Sequence, residues 1–232
     1  MGEQSLTGRV GAGCDGWNFI WNSNNTPHRI IGQSISHFFD ATDPIESEYV
    51  ARDFISNNHV LFNIDEYNLD LWVNELHGDL RYLIFNQVYN NIPIWNGRID
   101  FRYRMNGDLV MIGHDGFPNI QVNTNPTLNA NEAIELAKLD IGFDVALNDE
   151  VIGRPEQFIW VENGMKPKFH LAWLVELFVH STDINDIVPI HRWKIFIDAH
   201  SGFILEKFDQ VLTATIEGHV TGSIKDDPYG LA

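Results

Sequence analysis

The chain has 232 residues, 44% of them hydrophobic, with seven Trp and fifteen Phe, which excludes a disordered polypeptide and suits two modest domains better than one. Thirty-two acids against fifteen Lys and Arg leave a formal charge of -17; such a surface repels phosphate backbones and anionic lipid, which speaks against nucleic-acid and membrane-surface roles. A single cysteine, Cys14, excludes an internal disulfide framework and a Cys-based zinc cluster.

Residues 1–43, rich in Gly, Asn, Ser and Asp, read as an irregular lead-in that packs Trp17, Phe19 and Trp21 against the adjoining domain. The start, Met1-Gly2-Glu3-Gln4-Ser5, has no basic segment followed by an apolar core, so no signal peptide is expected in this chain, and no run is long enough to span a bilayer. The glycine-rich run at 8–13 follows no strand signal and lacks a phosphate-loop lysine. Asn24-Asn25-Thr26 fits a glycosylation acceptor.

From Pro44 the pattern becomes helical. Asp43 is placed to cap, Pro44 sits at the first helical position, and Glu46 follows the cap by three. Tyr49, Val50, Phe54 and Leu61 form the expected apolar stripe, with Glu46, Glu48, Arg52 and Asp53 toward water. The helix should stop near Asn57-Asn58, followed by a less regular link through Phe62, Leu69 and Leu71 to a turn at His77-Gly78-Asp79.

Residues 79–117 carry three strand signals. Ile99, Phe101, Tyr103 and Met105 alternate with Asp100, Arg102, Arg104 and Asn106, one side for a core and one for water. Asn106-Gly107 supplies a hairpin turn, and Leu109 resumes the apolar pattern. Pro118, Asn119, Asn123, Asn125 and Pro126 then mark a boundary. Beyond it the plan repeats. Asn129 and Glu132 have capping-box spacing before a stripe of Ala133, Ile134, Ala137 and Ile141. A loop around Gly153-Arg154-Pro155 precedes strands at 158–162, 168–179 and 191–198, the last turning at Ser201-Gly202 into 203–208.

The run Phe85-Asn86-Gln87-Val88-Tyr89-Asn90-Asn91-Ile92-Pro93-Ile94-Trp95-Asn96-Gly97 resembles the motif of the fungalysin/thermolysin propeptide (FTP) domain, with Asn91 where glycine is most common. Pro27-His28-Arg29-Ile30-Ile31-Gly32 resembles a short segment near the start of these propeptides. Residues 128–134, 171–177 and 193–205, which hold Trp173, Trp193, Asp198 and Gly202, resemble the opening helix and signature strands of a PepSY domain. The order, over about 27–210, is that of the propeptides of thermolysin-like and fungalysin-like secreted metallopeptidases. The resemblance implies an α+β fold of two small cystatin-like domains, each a helix on an antiparallel sheet: residues 44–117 FTP-like and 118–210 PepSY-like. Residues 211–232 would be a linker or the first strand of a downstream domain.

The chain contains no His-Glu-x-x-His, and its histidines read as surface or turn residues, with His77, His114 and His200 beside turns. Asp79, Asp108 and Asp115 read as turn carboxylates. No enzyme activity, catalytic residue, metal or cofactor is expected. The resemblance implies an intramolecular chaperone and inhibitor, secreted as part of its precursor, whose partner is a downstream or co-encoded metallopeptidase domain. The alternative is a non-catalytic regulatory or protein-binding module of an exported multidomain protein. The residues carrying the resemblance are Phe85, Gln87, Tyr89, Pro93, Trp95, Gly97, Trp173, Trp193, Asp198 and Gly202, in structural or docking roles.

Overall fold

A computed structural model describes residues 17–22, 27–36, 39–162, 164, 166–182 and 188–211. Cys14, the run at 8–13, the acceptor at 24–26 and the expected linker from 212 onward lie outside the described residues.

Helix α1, Pro44–Asn57, starts as its sequence demands. Asp43 has extended backbone, and its carboxylate accepts from the N–H groups of Ile45 and Glu46 at 2.8 and 3.2 Å. Its buried stripe differs from the expected one: Ser47, Ala51, Phe54 and Ile55 face the core, Val50 is partly buried, and Tyr49 is 70% exposed. Small residues at 47 and 51 let the helix lie close to the sheet, a packing advantage that an apolar count does not weigh. The Ser47 hydroxyl is satisfied locally by the Asp43 carbonyl at 2.6 Å. A single turn, α2 (His59–Phe62), follows and closes at Asn63 with φ 53.

Strands β1 (Trp17–Trp21) and β2 (Pro27–Ser36) replace part of the expected irregular lead-in. Strand β3 (Leu69–His77) replaces the expected irregular link. With β4 (Leu80–Tyr89), β5 (Ile92–Arg104) and β6 (Asp108–His114) they form an antiparallel order β3-β4-β5-β6-β2-β1. The missed strands lie at or near the edges, where one side of a strand needs no apolar partner and polar residues dilute the alternation. In β3 a bulge between Leu71 and Val73 also breaks the period.

Ile99, Phe101 and Tyr103 bury under α1 beside Phe54 and Phe62, as their alternation requires. Met105 does not join them and is 44% exposed, because β5 ends at Arg104. The opposite face is less wet than expected. Asp100 is buried and accepts from Arg102 at 2.9 Å, while that guanidinium lies 4.2 Å from the Tyr82 ring centroid.

Helix α3 (Ala130–Ile141) has a complete capping box: the Asn129 side chain accepts from Asn131 and Glu132, and Glu132 accepts the Asn129 N–H at 2.7 Å. It lays Ala133 and Ala137 on strands β7 (Glu150–Glu162), β8 (Lys168–His180), β9 (Ile190–Asp198) and β10 (Ile204–Asp209). Gly153-Arg154-Pro155 is not a loop but a bulge inside β7, where Gly153 has φ 66 and the register jumps between Ile152 and Glu156. One parallel bridge, Ile94 to Ile159, joins β5 to β7. The bridge joins a first sheet, β1–β6, to a second, β7–β10, in one open, mixed array on which the helices pack, an α+β fold of cystatin-like architecture.

Candidate functional site

The residues between Phe85 and Gly97 build the seam between the two halves. Phe85 belongs to the first core, edge-on to Phe101 at 6.3 Å. Beyond it, β4 turns into β5 at Asn90 and Asn91, whose φ values of 51 and 63 are both left-handed, as a two-residue hairpin turn requires. Asparagine tolerates this conformation best among non-glycine residues, so Asn91 serves where a glycine would.

Val88 pairs with Pro93 but Asn86 pairs with Arg98, so β5 bulges between them, with Asn96 at φ 63. A Cβ on Gly97 would stand 3.0 Å from Ile94 and 3.2 Å from the Gln87 Oε1, so glycine leaves the space that the Gln87 side chain uses. Gln87 is buried and exchanges two hydrogen bonds of 2.8 Å with the Phe117 backbone. Tyr89 packs with Ile92, Ile94 and Ile159, and so do Phe117, Ile120 and Val122. The segment expected as a boundary thus lies packed against the seam.

The bulge sends Trp95 onto the face of the second sheet opposite α3. Its ring is 4.7 Å from Phe196, 5.4 Å from Phe158 and 6.2 Å from Phe208, centroid to centroid. Trp173 donates its indole N–H to the Leu128 carbonyl at 2.8 Å, holding the chain that leads into α3. Trp193 packs on the α3 side with Val175 and Ile195. Asp198 organises the last turn: its Oδ1 accepts from the N–H groups of His200 and Ser201, and Gly202, at φ 78, donates to its carbonyl at 2.9 Å. Its Oδ2 meets His170 Nδ1 at 2.9 Å. Burial pushes the Asp198 carboxyl up, but the Ser201 N–H, His170 and the His200 N–H outweigh it and hold it below its ordinary value. The ten residues are therefore not one cluster. Trp95 reaches the second sheet, and Trp193 lies on that sheet's other face.

Beside Gln87 lies a cleft of about 260 Å³, lined by His59, Asp65, Asn68, Tyr89, Asn119 and others. No local sequence pattern announces it, because it lies between α2 and a segment some sixty residues later. Its lining includes two asparagines, Asn63 and Asn119, a turn-prone residue type that the sequence does display, and both adopt left-handed backbone.

Several histidines meet carboxylates: His28 with Asp115 at 2.6 Å, His180 with Asp149 at 3.3 Å, and His191 with Asp209 at 2.6 Å. His114 is buried, stacked on Phe62, with Nε2 2.8 Å from the Phe62 carbonyl and Nδ1 accepting the Gly116 N–H at 3.1 Å. Among the described residues no three His, Cys, Asp or Glu gather as a cation site, and no helix is long and apolar enough to cross a membrane.

No family model matches the chain. It is 30% identical over 155 residues to a bacillolysin of Brevibacillus brevis, a match that spans 63% of this chain and 28% of that protein. Similar solved structures include the Bacillus megaterium YpeB C-terminal domain, at 12% identity and a TM-score of 0.39 over 79% of this chain and 71% of that one. Another is an uncharacterized protein from Eubacterium rectale, at 10% identity and a TM-score of 0.43 over 87% and 79%. The chain is thus distantly similar to part of a peptidase, over little more than a quarter of that protein's length.

Proposed function

We propose that this chain is a non-catalytic, protein-binding module that regulates a peptidase. The observation that supports it is the 155-residue similarity to a bacillolysin in a chain without His-Glu-x-x-His. The fold supplies what such a role needs. Trp95 packs on Phe196, and Gln87 holds Phe117, whose ring lies 6.2 Å from Phe169, so the two helix-on-sheet units are tied together, and a prebuilt surface loses little freedom when a partner docks on it.

The narrower form of this reading is a secreted propeptide, with an FTP-like unit at 44–117 and a PepSY-like unit at 118–210, that inhibits and helps fold a metallopeptidase domain. The resemblance of residues 85–97, 171–177 and 193–205 to those domains supports it. Titrating the full chain into a purified bacillolysin, with casein as substrate, tests the general reading. Submicromolar inhibition is expected; unchanged hydrolysis together with no complex on size exclusion overturns it. Refolding the denatured peptidase tests the narrower form, which requires the chain to raise recovered activity.

A further inference from the structure

Strand β3 is an edge: among the described residues it pairs with β4 alone. Two links hold α1 alongside it. Asn74 donates to the Pro44 carbonyl at 2.8 Å, and Arg52 donates to the carbonyls of Glu66 and Leu69 at 3.0 Å each. Helical spacing puts Ile45, Glu48, Tyr49 and Arg52 on one stripe, and the Arg52 bonds turn that stripe toward β3. Along this flank Ile45, Tyr49, Leu71, Trp72 and Leu76 are all exposed, Trp72 by 62% as the extra residue of the bulge. Apolar side chains beside an unpaired strand edge form the elements of a strand-addition site.

The charge of the region names the occupant. Residues 40–79 hold ten acids and one Lys or Arg, Arg52, which is itself paired with Glu48 at 2.8 Å. The nearby Arg81 is buried and bonded to the carbonyls of Ala41 and Thr42. Acids on an edge keep two copies of the same chain apart, and they attract a cationic strand. Neither terminal segment of this chain fits that description, since residues 1–16 contain one Arg and residues 212–232 one Lys.

We propose that β3 takes an extended, basic polypeptide segment of a partner protein as an added strand, its apolar side chains covering Trp72 and Leu76. The partner's being a peptidase rests on the regulatory reading; the surface and its chemistry do not.

The probes are a capped peptide of alternating lysine and valine, its glutamate-for-lysine counterpart, and a version with central proline. The full chain is titrated with each by calorimetry, and hydrogen exchange reports the β3 amides. The lysine peptide is expected to bind and protect β3, weakening about tenfold or more at high salt. The other two peptides are expected not to bind. The double variant Trp72→Ala, Leu76→Ala, which keeps the charge of the edge and is checked for folding by circular dichroism, should lose about tenfold in affinity. Equal binding of the glutamate peptide, full binding of the proline peptide or of the variant, or protection by calcium chloride alone overturns the proposal. Full inhibition of a bacillolysin by the same variant overturns the peptidase as the partner of this strand and leaves the regulatory reading standing. Peptide binding with no effect on a bacillolysin does the reverse.

Discussion

The side-chain amide of Gln87 and the backbone of Phe117 hold each other through two hydrogen bonds, Nε2 to carbonyl and N–H to Oε1, each 2.8 Å. Phe117 lies just beyond β6, so the pair sets the course of the segment that carries Ile120 and Val122 into the seam. Gln87 is 3% exposed, so water cannot readily take its place. Gln87→Leu leaves two backbone groups without their partner and should cost about 2–4 kcal/mol. Urea unfolding at unchanged m-value reads this; a midpoint equal to wild type would show that the clamp adds no stability.

Across the same sheet, Gly113 leaves room for a buried carboxylate. A Cβ there would collide with Asp100 Oδ1 and come within 3.1 Å of Arg29 Nη1. Gly113→Ala should therefore cost about 1–3 kcal/mol or more through overpacking. Gly78→Ala, with φ 62 but open space around its Cβ, should cost only about 1 kcal/mol. Adding Asp100→Ala to Gly113→Ala removes the collision, so the double variant should lose less than the sum of the two singles. Simple additivity would show that the collision is not the cause.

Acid should weaken the fold in two steps of the same sign. Burial is the main influence on His114 and holds its pKa below the ordinary 6.5, against the raising effect of the Phe62 carbonyl. The unfolded chain then binds a proton that the folded chain does not. This contribution is complete above the unfolded value and is lost as pH falls through the folded one. For Asp149, Asp198 and Asp209 burial pushes upward, but hydrogen bonds to their carboxylates outweigh it and hold them below the ordinary 3.8. Their stabilisation is likewise present above the unfolded value and lost below it, at lower pH than for His114. Urea midpoints from about pH 8 to about pH 3 measure both steps. The comparison with His114→Gln isolates the first, because the histidine–carboxylate pairs are common to both proteins. An identical decline in the variant would rule out His114 as its source.

Much of the fold was legible because it is locally encoded. The Asp43 cap, the Asn129–Glu132 box and the alternation in β5, β8 and β9 arise from neighbouring residues alone. Strands β1, β2 and β3 were not legible, since edges tolerate polar residues and the bulge at Trp72 resets the period. Residues Gln87, Gly97 and Trp95 were visible by resemblance but not by role. Gln87 acts on a backbone thirty residues away, and Trp95 acts on Phe196, a hundred and one residues later, through a bulge that no local pattern announces. The cleft beside Gln87 was hidden for the same reason.

Trp95 gives the sharpest test of how the two halves are joined. It leaves β5 of the first sheet and ends among Phe158, Phe196 and Phe208 of the second. Among the described residues the strand pairing beside it is one bridge, Ile94–Ile159, so side-chain packing carries much of the coupling. Truncating a buried tryptophan costs about 3–5 kcal/mol, and a half-buried one less, so Trp95→Ala should lose about 2–3 kcal/mol. The second consequence is more diagnostic. With the ring gone, the two cores should melt separately, and calorimetry should resolve two transitions where the parent shows one. Trp95→Phe keeps an aromatic ring against Phe196 and should stay cooperative. A single transition at the parent midpoint in Trp95→Ala would show that the halves are joined by Phe117 on Phe169 and the Ile92–Ile159 cluster without this ring.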